Sequence, residues 1–82
     1  MYYVYILYSE TQDRYYIGQT NDLEKRVLRH NTGYVKSTKA YRPWTLVYFE
    51  IFQSRTESVR RENQLKGWKS KVKIAELVDA SR

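Results

Sequence analysis

The segment Tyr2-Tyr3-Val4-Tyr5-Ile6-Leu7-Tyr8 constrains this chain more than any other, because every residue in it is apolar or aromatic and prone to β structure. A strand with one wet face alternates polar and apolar residues, whereas here both alternating faces are apolar, so the strand has to be covered on both sides. In 82 residues there is material for one hydrophobic core, so the covering elements come from the same small domain, spanning 1–82.

The remaining elements follow from punctuation along the chain. Ser9 to Asp13 is polar turn material, Arg14 to Ile17 resumes strand character, and Gly18 closes it. Strand, short loop and strand predict an antiparallel hairpin. Asn21-Asp22-Leu23-Glu24 has the form of a capping box and predicts a helix from about Asp22 to His30, stopped by Asn31-Thr32-Gly33. Tyr34 to Pro43 reads as a basic, polar loop and Trp44 to Phe52 as a third strand. Ser54-Arg55-Thr56-Glu57 opens a second helix running to about Lys66, and Ser70 caps a last one through Ala80, with Ile74, Leu77 and Val78 as its buried stripe. The fold class expected is α+β, a small three-stranded sheet opened by an antiparallel hairpin and flanked by helices, in the order ββαβαα. Periodicity does not place the third strand.

Composition narrows the function classes. Fifteen Lys and Arg against nine Asp and Glu leave a net charge of +6, which favours an anionic partner: nucleic acid, an acidic membrane surface or an acidic protein. The absence of cysteine excludes disulfides, thiolate metal sites and cysteine nucleophiles. No apolar run approaches the roughly 18–20 residues of a membrane span, and the first residues lack a basic leader and a cleavage site. A cytoplasmic protein with no membrane partner is the expectation.

Glu62 breaks the pattern of the second helix, since at 100° per residue it falls between Val59 and Leu65, which define the apolar direction. A carboxylate there needs a partner. Arg55 or Lys66 could supply an ordinary ion pair; a metal or an acid–base role is the alternative. On the first helix Leu23 and Val27 mark the inward stripe, with Arg26 and His30 one turn apart on an adjoining face. A single histidine is ordinarily a surface or half-buried polar residue, but guanidinium beside imidazole is also what a phosphodiester site uses. Most of the nine tyrosines build the sheet; Tyr2, Tyr3, Tyr8 and Tyr48 read as structural. Tyr5 and Tyr16, on opposite strands of the hairpin, could share a surface.

Tyr3-Val4-Tyr5, Tyr16-Ile17-Gly18, Arg26, His30 and Glu62, in that order, resemble the GIY-YIG nuclease domain. The resemblance spans about Tyr2 to Trp68 and is closest to the small single-domain bacterial branch, to which Arg60-Arg61-Glu62-Asn63-Gln64-Leu65-Lys66-Gly67-Trp68 and Arg42-Pro43-Trp44 are also similar. One departure is Tyr3, which stands where the family motif has glycine. The resemblance implies a metal-dependent endonuclease that hydrolyses phosphodiester bonds, of DNA more than RNA. It implies Tyr5 as general base, Tyr16 orienting the phosphate or the attacking water, and Arg26 neutralising the phosphate. His30 would polarise Tyr5 or replace it as base. Glu62 would hold one Mg²⁺ (or Mn²⁺) ion.

Lys36, Lys39, Arg42, Arg60, Arg61, Lys66, Lys69 and Lys71 could together track a phosphate backbone, although each alone reads first as a solvated surface cation. Two other readings compete. One is a nucleic-acid-binding module of the same fold with little or no cleavage; the other is a protein-interaction domain using its tyrosine-rich surface.

Overall fold

The computed structural model describes residues 1–81. The hairpin forms as expected from strands β1 (Tyr2–Ser9) and β2 (Arg14–Thr20), followed by helix α1 (Leu23–Thr32), strand β3 (Trp44–Phe52), and helices α2 (Arg55–Gly67) and α3 (Lys71–Ala80). The third strand, which periodicity left unplaced, pairs antiparallel with the free side of β1, so the sheet order is β2-β1-β3. The order ββαβαα and the α+β class are those read from the sequence.

The all-apolar β1 is therefore central, and Val4, Tyr5, Ile6 and Leu7 are all buried. Alternation sends Val4 and Ile6 to one face, where they meet Leu65 of α2 and Ile74 and Val78 of α3. Tyr5 and Leu7 go to the other face, with Trp44, Tyr16 and the Leu23 and Val27 stripe of α1. One strand thus belongs to two cores, which is why it has no polar face.

Three details differ from the sequence reading. β2 does not stop at Gly18 but runs on to Thr20, because Gly18 pairs with Tyr5 inside the ladder. The N-cap of α1 is Asp22, one residue after Asn21, its carboxylate accepting from the Lys25 N–H at 3.1 Å. The segment after α1 is not a plain loop: it contains a 3₁₀ turn, Lys39–Tyr41, preceded by Thr38, which is buried. Local polarity suggested exposure there, but Thr38 is drawn inward by Trp44 and His30, whose side chains both reach it. Asn31 ties α1 to β3, its Nδ2 donating to the Trp44 carbonyl at 2.9 Å and its Oδ1 accepting from the Trp44 N–H.

Candidate active site

The site begins with a contact that the ladder itself creates. Tyr5 and Gly18 are cross-strand partners, and a Cβ built on Gly18 would lie 2.4 Å from the Tyr5 hydroxyl oxygen. The hydroxyl occupies the space that any other residue's side chain would need, so the glycine of Tyr16-Ile17-Gly18 is there for the phenol. This is a matter of close approach rather than of backbone conformation.

From that position the Tyr5 hydroxyl meets His30 Nε2 at 3.0 Å. His30 is fully buried, which corrects the expectation of a surface or half-buried residue. Its Nδ1 lies 2.8 Å from Thr38 Oγ1, so both ring nitrogens are partnered. Tyr16 packs its ring on the imidazole, with centroids 4.7 Å apart, and also flanks Tyr5 and Trp44.

Electrostatics follow burial. Tyr5 is pushed well above an ordinary phenol, first by burial and then by the Tyr16 hydroxyl; the Arg26 guanidinium opposes the shift and Glu62 adds to it. Burial, then the charge of Arg26, holds His30 below its usual 6.5, so the imidazole is neutral at pH 7. Arg26 is thus within electrical reach of both groups. It is half-buried, and its guanidinium has no ion-pair or hydrogen-bond partner among the described residues. It lines a recess of about 160 Å³ with Thr20, Asn21, Asp22, Lys25 and Arg29. Lys25 and Arg29 escaped the sequence reading, yet their spacing around Arg26 on α1 was a usable signal.

Glu62 lies on the half-buried flank of α2, one turn before the buried Leu65. Its Oε2 accepts from Lys66 Nζ at 2.8 Å, the local ion pair that the sequence allowed. Its other carboxylate oxygen has no hydrogen-bond partner among the described residues. No cluster of three or more His, Cys, Asp or Glu side chains occurs among them. One hard oxygen donor fits a magnesium ion that keeps most of its water and takes its remaining ligands from a substrate phosphate.

The profile of the GIY-YIG catalytic domain matches residues 1–75. The chain belongs to the GIY-YIG family. Among its relatives, the UPF0213 protein of Staphylococcus saprophyticus is 37% identical over 73 residues, covering 88% of each chain. The UPF0213 protein of Clostridium perfringens is 45% identical over 67 residues, covering 80% of this chain and 71% of the relative. The solution NMR structure of the UPF0213 protein BH0048 from Bacillus halodurans superposes with a TM-score of 0.61 at 34% identity, covering 98% of this chain and 85% of that one. This GIY-YIG domain therefore carries the fold of a nuclease family.

The peripheral cations sort into two groups. Lys36, Lys39, Arg60 and Lys69 are exposed with no side-chain partner among the described residues. The others are engaged. Arg42 donates through Nε to the Lys39 carbonyl at 2.9 Å, Lys66 pairs with Glu62, and Lys71 pairs with Asp13. Arg61 departs furthest from a free backbone-tracking cation: Nε and Nη2 grip both oxygens of Glu50 at 2.9 and 3.0 Å, and the guanidinium lies over Trp68. No helix among the described residues is long and apolar enough to cross a membrane.

Proposed function

We propose that this protein is a metal-dependent endonuclease hydrolysing nucleic-acid phosphodiester bonds, with DNA the favoured substrate. The observation that carries the reading is the Tyr5–His30 hydrogen bond of 3.0 Å beside Arg26, which has no partner among the described residues. A phenol alone is a poor base at neutral pH. A phenol whose proton can pass to a neutral imidazole is a usable one.

The roles divide accordingly. His30 Nε2 is occupied by the Tyr5 hydroxyl and Nδ1 by Thr38, so its basicity acts through Tyr5. A water proton passes to the Tyr5 oxygen as Tyr5's own proton passes to His30 Nε2. The water oxygen bonds to phosphorus, the bond from phosphorus to the leaving oxygen breaks, and that oxygen takes up a proton from solvent water, the proton held by His30 returning to solvent through Tyr5 afterwards. Arg26 neutralises the charge that grows on the phosphoryl oxygens, and the Tyr16 hydroxyl orients the phosphate. A divalent ion such as Mg²⁺, held by Glu62 and the substrate phosphate, would supply electrostatic stabilisation of the leaving oxygen.

A second reading, binding without cleavage, has its own support. Tyr5 is 1% exposed and Glu62 is neutralised by Lys66, a resting geometry that a pure binding module would share. Incubation with plasmid, single-stranded and branched DNA and with RNA, in Mg²⁺, Mn²⁺ or EDTA, separates the two. The expected result is cleavage that is lost in EDTA and in Glu62→Ala and Arg26→Ala. Cleavage that survives both substitutions removes the site assignment, and binding without cleavage on every substrate establishes the module.

A further inference from the structure

We propose that Thr38 is a positioning residue of the candidate active site, its hydroxyl fixing the tautomer of His30 so that Nε2 is left as a bare acceptor facing Tyr5. The tautomer assignment stands on geometry; its consequence for catalysis rests on the nuclease reading above.

A neutral imidazole has one N–H and one lone pair. His30 offers them to two hydroxyls, Tyr5 at Nε2 (3.0 Å) and Thr38 at Nδ1 (2.8 Å). Two arrangements are conceivable and they are not equivalent. Were the proton on Nε2, it would donate to the Tyr5 oxygen, and the Tyr5 hydroxyl proton would need another acceptor. Tyr5 is 1% exposed, and His30 is its one hydrogen-bond partner among the described residues. With the proton on Nδ1, every donor is satisfied. Tyr5 donates to Nε2, Nδ1–H donates to Thr38 Oγ1, and the Thr38 hydroxyl donates onward to the Val35 carbonyl at 3.3 Å. Buried polar groups adopt the arrangement that leaves none unpaired.

Thr38 is held where this role requires it. It is 2% exposed, its N–H donates to the Val35 carbonyl at 3.1 Å, and its own carbonyl accepts from the Tyr41 N–H and from Trp44 Nε1. The result is a one-way chain from Tyr5 through His30 and Thr38 to the backbone, and it prepares His30 Nε2 to receive the Tyr5 proton.

The test is the tautomer itself, read from the ¹⁵N shifts and ring couplings of His30 in the full chain at pH 8. The wild-type protein is expected to show Nδ1 protonated and Nε2 bare. Thr38→Val keeps the shape and removes the hydroxyl. Either tautomer then leaves one buried donor unpaired, so both forms are expected to populate. Cleavage of DNA in Mg²⁺ is expected to lose about tenfold or more in kcat with KM unchanged, by analogy with the loss when the outer partner of a metal-ligating histidine is removed. Thr38→Ser is expected to restore both the tautomer and the rate. Wild-type His30 protonated on Nε2, or Thr38→Val with the Nδ1–H form intact, overturns the assignment. The wild-type spectrum decides the tautomer even if Thr38→Val does not fold. If no nucleic acid is cleaved by the wild type, the nuclease reading falls while the spectrum still tests Thr38.

Discussion

Gly18 shows how much chemistry can hang on a missing side chain. Adding one methyl group there collides with the Tyr5 hydroxyl at 2.4 Å, so Gly18→Ala is expected to swing the phenol away from His30. Cleavage of a plasmid substrate should fall by about 10²-fold or more, the scale of losing a positioned proton acceptor, while circular dichroism stays that of the wild type. Tyr5→Phe keeps the ring and removes only the hydroxyl, and it should show the same loss; full activity in Tyr5→Phe would remove the proposed proton path. His30 makes a pH prediction whose sign is fixed by its burial. Its folded pKa lies below the usual 6.5, so the neutral form is the one that the fold stabilises. The stability it contributes is complete above about 6.5 and is lost as pH falls from there through the folded value. Denaturant midpoints of the wild type should therefore drop across that window. Those of His30→Gln should stay flat there, because His30 is the one histidine in the chain.

Among the elements, α1 carries two of the proposed site residues, Arg26 and His30, and is fastened at both ends. Asp22 caps its first turn, and Gly33 ends it in the left-handed region at φ 85°, its N–H bonded to the Arg29 carbonyl. Gly33→Ala is expected to cost about 1–2 kcal/mol in chemical denaturation, and a Cβ there would also press on the Arg42 guanidinium at 3.1 Å. Because Arg26 and His30 both ride on this helix, the variant should also cleave more slowly. The helix and its inward residues were legible in the sequence, since a cap, a glycine stop and the Leu23 and Val27 spacing are local signals. The depth of His30 was not legible. It depends on Thr38, eight residues further on, folding back beneath Trp44, and no periodicity within α1 reports that.

Across the whole molecule, the +6 charge is not one uniform basic surface. Arg61 is gripped by Glu50, and burial raises the Glu50 carboxyl less than Arg61 and Tyr48 lower it. Arg61→Ala should consequently cost roughly 1–2 kcal/mol of stability and change DNA affinity little. A double change at the free cations, Arg60→Ala with Lys69→Ala, should do the reverse, weakening binding and flattening its salt dependence by about 0.9 in log–log slope for each phosphate no longer neutralised. A salt titration of binding beside a denaturant titration of folding separates the two classes. The sequence by itself determined the order of the strands and main helices, the two-sided burial of β1, the Ser54 and Ser70 caps and the family motif, because each depends on near neighbours or on residue type. Only the tertiary structure decided where β3 pairs, which cations are free, and that Tyr5, His30 and Thr38 form one buried chain. Those depend on residues far apart in sequence competing for the same partners, and that competition is settled only when the sheet and helices close on one another.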